Sequence, residues 1–154
     1  MDAVEPSRLV RHALGTIDLS SSDAPAVVAV GKAAEAMFWA TAESRDVGPS
    51  MVASSSFITT TARPGIELFR AGHPAPNASS AAAAERALAL ARTVAQSGEL
   101  LVLLSGGASA MLVAPVGGVT LDDKLLTARR LMAAGAPIDE LNCVRKHLSR
   151  IKGG

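Results

Sequence analysis

Short apolar runs alternate along the chain with longer segments in which apolar and polar residues recur at helical spacing. The runs AVVAV at 26–30 and LLVLL at 100–104 carry no charge and are each followed within two residues by glycine. Such runs of about 4–8 residues are typical of strands that are buried on both faces. Two weaker strands are predicted at 51–59 and 66–71, separated by a Pro64-Gly65 turn.

The segments between these runs predict helices. Asn77 and Thr120 are expected to cap two of them, while Gly98 and Gly135 stand just past helix ends, where a left-handed residue is favoured. In the helix after Thr120, the apolar residues Leu121, Leu125, Ala128 and Met132 share one face. The predicted helices cover 7–14, 32–43, 78–96, the segment after 120 and the segment from 139, with a serine-rich loop at 19–24.

This alternation predicts an α/β fold, Rossmann-like, with a mostly parallel sheet covered by helices on both faces. With 154 residues, 49% of them hydrophobic, the chain fits one domain spanning 1–154. In such sheets, ligands bind beyond the carboxyl ends of the strands. The loops that follow the strands are therefore where chemistry is expected.

Charge and cysteine content indicate which partners and which cellular location to expect. Fifteen Lys and Arg residues against 14 Asp and Glu give a net charge of +1, so no global field attracts nucleic acid or anionic lipid. Cys143 has no cysteine partner, and the charged start MDAVEPSRLVRHALG lacks the apolar core of a signal peptide. We therefore expect a cytoplasmic protein without a nucleic-acid partner.

The uncharged stretch 100–121 is long enough to span a membrane, but its details oppose that interpretation. It contains two Gly-Gly pairs and Pro115, and acidic residues flank it. We expect no membrane partner.

Two strand-to-helix junctions carry residues suited to anion binding. At the first, Gly31 ends a strand and Lys32 follows at once, which would place a cation beside backbone N–H groups. At the second, Ser105, Gly106, Gly107 and Ser109 follow the most apolar strand, where glycine lets a ligand approach the backbone. A solvated lysine and a packing turn remain the alternatives, since neither P-loop nor G-x-G-x-x-G spacing is present.

His73 lies in a loop that two prolines stiffen, Pro74 and Pro76. It is a candidate ligand-binding side chain, although a lone loop histidine is more often structural. No His, Cys or acidic residues have metal-ligand spacing, so a metal site built by the protein is not expected.

The C-terminal segment PIDELNCVRKHLSRIKGG predicts a helix with an apolar and a polar stripe. The apolar stripe comprises Leu141, Val144, Leu148 and Ile151, and the polar one comprises Asn142, Arg145, Lys146 and Ser149. No acidic residue follows Glu140, whereas Arg145, Lys146, Arg150 and Lys152 do. Clustered cations favour an anion opposite them, although a basic helix end that complements the dipole remains open. Cys143, beside the apolar stripe, is expected to be buried.

Four stretches, in this order, give a resemblance to a known family: VAVGKAAEAM at 28–37, AGHPAPN at 71–77, LVLLSGGASAML at 101–112 and ELNCVRKHLSRIKGG at 140–154. Together they resemble the N-terminal domain of the glycerate 2-kinase family, ATP-dependent kinases with a C-terminal MOFRL domain. The resemblance implies that Lys32, the 105–109 loop and the 142–152 segment face one cleft between two lobes.

It also implies phosphorylation of D-glycerate to 2-phosphoglycerate, with ATP and Mg²⁺ as cofactors. Lys32 and Arg145 would be catalytic, with Lys32 at the transferring phosphate. Substrate or phosphate binding would fall to Gly31, His73, Ser105, Gly106, Gly107, Ser109, Asn142, Lys146, Ser149 and Lys152. Alternatives are a hydroxypyruvate reductase-like oxidoreductase and a non-catalytic fragment that binds phosphorylated or carboxylate ligands.

The chain departs from the family in two respects. The family loop commonly reads SGGGS, where this chain has Ala108. The chain also stops at Gly154, inside the IKGG stretch, so we expect a fragment without the MOFRL domain, incomplete at its C-terminus and inactive by itself. A homo-oligomer or a separately encoded C-terminal half would then be a possible partner.

Overall fold

The structure is a computed structural model that describes residues 5–19, 24–57, 63–95 and 98–152. The chain divides into two compact units, Met1–Leu112 and Val113–Gly154. The strands are β1 Ala26–Val30, β2 Ser50–Ser54, β3 Ile66–Arg70 and β4 Leu100–Leu104. The helices are α1 Pro6–Leu14, α2 Ala34–Ser44, α3 Ala78–Val94, α4 Ala108–Met111, α5 Leu121–Ala133 and α6 Ile138–His147.

The first unit is built on a four-stranded parallel sheet in the order β3-β2-β1-β4. β1 pairs on both sides and all five of its residues are buried, as the run AVVAV predicts. A doubly wound sheet has the strand order 3-2-1-4-5-6, and the order here corresponds to its first four strands. The predicted parallel α/β fold is confirmed.

The two main helices of this unit cover opposite faces of the sheet. On one face, Val27, Val52 and Leu103 pack with Phe38 of α2. The crossover from β1 to β2 runs toward the β3 edge of the sheet, and the crossover from β3 to β4 runs toward the opposite edge. Because such crossovers are right-handed, α2 and α3 lie on different faces.

The prediction that β4 is buried on both faces is wrong. Its bounds match the apolar run, but Val102 is 48% exposed and Leu104 61% exposed. β4 lies at the edge of the described sheet, and α3 packs mainly on β2 and β3. An apolar run indicates a strand, but only the positions of its neighbours decide how many of its faces are covered.

Two of the predicted helix caps are confirmed in detail. The side chain of Asn77 accepts from the backbone N–H of Ser80, and Ser80 reciprocates, which starts α3 with a capping box. Thr120 and Asp123 form the same arrangement at α5, and hydrogen bonds from Thr120 hold the pKa of Asp123 below its usual value. Gly135, past α5, is left-handed as expected.

Other boundaries differ from the predictions. Gly98 is not left-handed, so its predicted role as a helix terminator is wrong, and its N–H simply donates to Val94. α2 begins at Ala34, two residues later than predicted, because Gly31, Lys32 and Ala33 form a turn. The predictions for residues 20–23, 58–59 and 96 fall outside the described residues.

The second unit contains α5, α6 and the segments that flank them. α6 ends at His147, so the prediction that Ser149 continues its polar stripe is wrong. Ser149 instead bridges Pro115 in antiparallel fashion, and the N–H of Arg150 donates to Ala114. Cys143 is exposed, which contradicts its predicted burial, because it lies away from the buried side of α6 that carries Leu141.

The predicted apolar face of α5 is only partly buried. Met132 is 55% exposed, whereas Lys124, one turn after Leu121, is 6% exposed. Within the described ranges, no helix combines the length and apolar character that crossing a bilayer would require.

Candidate functional site

The carboxyl ends of β1 and β4 lie side by side, with Val30 paired to Leu104. The chain leaves β1 toward one side of the sheet, and β4 lies on the other side. The connections therefore diverge here, and the region outside the strand ends at such a point is the usual ligand position in these sheets. Both glycine-containing junctions predicted from the sequence are at this position.

The two junctions are joined by direct contacts. The N–H of Lys32 donates to the carbonyl of Gly106 at 2.9 Å. Gly31 has φ +123°, and a Cβ there would lie 2.2 Å from the Oγ of Ser105 and 2.6 Å from its carbonyl oxygen. Only glycine fits this close approach, so the β1 turn and the β4 turn form one rigid edge.

The hydroxyl of Ser105 holds these turns together. Its Oγ accepts from the N–H of Ala33 at 3.0 Å and donates to the carbonyl of Val30 at 3.4 Å. Because its donor and one of its acceptor sites are engaged by the backbone of both turns, this hydroxyl positions the two loops. Its predicted use as a ligand donor would require it to give up the bond to Val30.

Gly106 and Gly107 form the open part of the edge. A Cβ on Gly106 would meet no atom within 4 Å, and Gly107 has φ +89°. The N–H groups of Gly106 and Gly107 donate no hydrogen bond to any residue that the structure describes. Successive free N–H groups on a left-handed turn are the arrangement that binds an anion.

Ala108 takes an ordinary conformation as the first residue of α4, since no described non-glycine residue has positive φ. The left-handed residue of this loop is Gly107, one position earlier. Ala108, which replaces the third glycine of the family's SGGGS sequence, therefore does not strain the loop.

His73 reaches this edge from a separate loop. A Cβ on Gly107 would lie 2.8 Å from Cδ2 and 3.1 Å from Nε2 of His73, so the ring packs against the glycine. The loop is held at its base by Ser80, whose Oγ accepts from the N–H groups of Gly72 and Asn77. The imidazole is exposed beside the candidate anion site.

Lys32 and Ser109 are the exposed polar side chains nearest these glycines in sequence. In the described part of the chain, the ammonium group of Lys32 has no hydrogen bond or ion pair. Ser109 lies on α4. The first unit thus brings together Gly31, Lys32, His73, Ser105, Gly106 and Gly107. That they bind a ligand stays a prediction.

The second unit contains a functional candidate that the sequence analysis missed. The buried Nζ of Lys124 donates to the carbonyl of Arg145 at 3.1 Å and to that of Leu148 at 2.6 Å. These carbonyls belong to the C-terminal end of α6, where backbone acceptors lack helical partners. A signal was present, because Lys124 interrupts the apolar face formed by Leu121, Leu125 and Ala128.

The cations of this unit influence one another. Burial, and then the charges of Arg145 and Lys124, lower the pKa of Lys152 to about 8. Burial and the charge of Arg145 also lower the pKa of Lys124. A group of mutually repelling, partly desolvated cations favours a bound anion.

The remaining predicted residues lie around this group. Nη1 of Arg145 donates to Oδ1 of Asn142 at 3.2 Å, which orients the guanidinium. Lys146 is exposed on α6, and Ser149 is half-buried after it. That Lys32 and Arg145 serve one cleft stays a prediction. Within the described residues, no group of three or more His, Cys, Asp and Glu side chains is arranged to hold a metal ion.

A family model described as "Domain of unknown function (DUF4147)" matches residues 1–154. The chain belongs to this family, the N-terminal domain of glycerate kinases. The resemblance that the sequence suggested is thereby confirmed.

Similar proteins carry two kinds of name. The chain is 35% identical to the D-glycerate 2-kinase of Thermotoga maritima over 156 residues, which cover 100% of this chain and 37% of that protein. It is 38% identical to a glycerate 2-kinase of Pyrococcus horikoshii over 83% of this chain and 29% of that protein. A protein of Agrobacterium vitis named putative hydroxypyruvate reductase is 41% identical over 83% of this chain and 30% of that protein.

The fold is also found in solved structures. The crystal structure of glycerate kinase from Thermotoga maritima superposes with a TM-score of 0.87 at 35% identity, covering 98% of this chain and 36% of that one. This chain therefore spans about a third of the length of the relatives it matches.

Proposed function

We propose that the protein containing this domain phosphorylates D-glycerate with ATP to form 2-phosphoglycerate, and that this chain supplies phosphate-binding loops for the reaction. The observation that carries the proposal is the pair of interlocked glycine turns at the ends of β1 and β4, with free N–H groups at Gly106 and Gly107 and Lys32 beside them. Relatives named glycerate 2-kinase support the choice of reaction.

Phosphoryl transfer depends mainly on positioning and on stabilising the charge that develops on the transferred group. We assign the N–H groups of Gly106 and Gly107 to a phosphate, and Lys32 to the transferring phosphoryl group. Ser105 keeps the two turns in register through its bonds to Ala33 and Val30. His73, against Gly107, would border the same phosphate, and Gly31 permits the close approach of the turns.

We assign the second unit to the binding of a carboxylate or phosphate. Arg145, held by Asn142, would make the main contact, with Lys152, Lys146 and Ser149 as further donors. A guanidinium suits this role because it can bind a carboxylate through two parallel hydrogen bonds.

ATP and magnesium are proposed as the nucleotide and its metal. The free N–H pair and the open space at Gly106 fit a phosphate group. The described residues offer no carboxylate cluster for a metal, so we expect magnesium to arrive bound to the nucleotide phosphates, whose charge it neutralises. A cytoplasmic location remains part of this proposal.

A reductase acting on hydroxypyruvate is the second candidate, since some relatives carry that putative name. Nicotinamide enzymes of this fold class use a G-x-G-x-x-G turn after the first strand. Here that turn reads VGKAAEAM, with a single glycine followed by lysine. The sequence of this turn thus favours the binding of a phosphate by Lys32 over the binding of a dinucleotide at the start of α2.

A chimera tests the proposed reaction. This chain would replace the segment of the Thermotoga maritima enzyme that it matches, and 31P NMR would follow the conversion of D-glycerate and ATP. We expect 2-phosphoglycerate to form, and Lys32→Met to lower kcat about 100-fold or more because one preorganised charge is lost from the site. The chain by itself should show little turnover.

Two controls accompany this experiment. Arg92→Met removes an exposed cation from α3 and should leave kcat unchanged. NADH oxidation by the chimera with hydroxypyruvate, in the absence of glycerate phosphorylation, would contradict the kinase and favour the reductase. A Lys32→Met chimera as active as its parent would refute the role assigned to Lys32.

A further inference from the structure

The carboxyl end of α6 is held by a side chain from α5. Lys124 is 6% exposed, and its ammonium group donates to the carbonyls of Arg145 and Leu148. A buried lysine is costly unless its donors are satisfied, and here backbone acceptors satisfy two of its three. The contact supplies donors to carbonyls at a helix end, where the last turn has no N–H groups of its own to offer them.

This contact lies at the start of the cation-bearing segment. Immediately after Leu148, the chain turns to bridge Pro115 at Ser149, and Arg150 bonds to Ala114 through its N–H and to Pro115 through Nε. The N–H of Val116 also donates to Leu148. Lys124 therefore contacts the chain at the point where α6 ends and the segment carrying Lys152 begins.

A purely structural role would not require a charge at this position. Neutral donors such as amides can also satisfy carbonyls, and a lysine here adds repulsion toward Arg145 and Lys152. The repulsion among Lys124, Arg145 and Lys152 disfavours a third cation here. A bound anion would offset that repulsion, because it attracts all three charges.

We propose that Lys124 is a positioning residue of the anion-binding segment: by holding the carbonyls of Arg145 and Leu148, it sets the placement of Arg145 and Lys152 around one phosphate or carboxylate. The inference rests on the anion-binding role proposed above for the second unit. It extends that role to a buried residue of another helix.

The test uses the 154-residue chain, inorganic phosphate and three variants. Lys124→Met removes the charge and the donors, while Lys124→Gln removes the charge but keeps a donor for one carbonyl, in case the first variant is too unstable. Arg129→Met removes one exposed cation from α5 and is the matched control. Amide shifts of residues 145–152 report phosphate affinity, and 13C signals of the lysine side chains report the pKa of Lys152.

In the wild-type chain we expect Lys152 to titrate with a pKa of about 8. Arg145 of α6 and Lys124 of α5 are charged groups that lower it. Losing Lys124 should raise this pKa, since its repulsion is removed, and should weaken phosphate binding roughly tenfold or more. Arg129→Met should change neither quantity.

A structural role alone would lower stability and leave the phosphate affinity as it is, whereas the pKa of Lys152 rises in either case because the charge of Lys124 acts on it directly. That outcome in the folded Lys124→Gln variant would overturn the inference. A wild-type chain that binds no phosphate at residues 145–152 would instead refute the anion-binding role on which the inference rests.

Discussion

Gly31 and Gly107 explain why glycine is needed at the candidate site. Both have positive φ, and both are in close contact with a neighbouring loop, Gly31 with Ser105 and Gly107 with His73. Gly106 belongs to the turn after β4, and a Cβ there would meet no atom within 4 Å. The first two glycines thus build the edge, whereas the third leaves room for what binds there.

This difference can be measured by adding one methyl group. Gly31→Ala should lower the free energy of unfolding by about 3 kcal/mol or more, through backbone strain and the clash with Ser105. Gly106→Ala should stay within about 0.5 kcal/mol of the wild type. Urea unfolding followed by circular dichroism gives both values, and equal losses would contradict the account of these turns.

At the level of whole elements, local patterns predicted which segments form the strands and most of the helices, and some of their bounds, but not what surrounds them. The bounds of β1 and β4 follow directly from their apolar runs, and the caps at Asn77 and Thr120 follow from residue type. The exposure of β4 and the burial of Lys124 depend on partners distant in sequence. The glycine turns were predictable, but their contact with each other was not.

The Asn77 cap allows a stability test of α3. Asn77→Ala removes the acceptor for the N–H of Ser80 and should cost about 1 kcal/mol of the free energy of unfolding. Asn77→Asp keeps an acceptor and serves as the matched control, with a smaller loss. If both variants unfold at the same urea concentration as the wild type, the capping box contributes no stability.

At the level of the whole molecule, we propose two kinds of anion site, one in each unit. The first unit offers backbone N–H groups and one lysine, which suits a phosphate that must be held and released. The second offers Arg145 and Lys152 at the end of α6, with Lys124 behind them. A near-neutral net charge of +1 means that both sites attract anions locally and not through the protein's overall field.

The pKa of Lys152 gives this arrangement a pH dependence. Its folded pKa of about 8 lies below the ordinary value of 10.5, so the unfolded chain binds more protons between these values. The contribution of Lys152 to stability therefore rises as pH increases from about 8 to 10.5. Phosphate affinity at residues 145–152 should move the other way and fall above pH 8, because Lys152 loses its charge.

The central claim is that the interlocked turns after β1 and β4 bind phosphate through backbone N–H groups and Lys32. The most direct measurement is an NMR titration of the 154-residue chain with ATP, following the amide signals of Gly106 and Gly107. We predict saturable shifts at both glycines that weaken markedly in Lys32→Met. Amide signals that do not move with ATP, or that move equally in the variant, would contradict the claim.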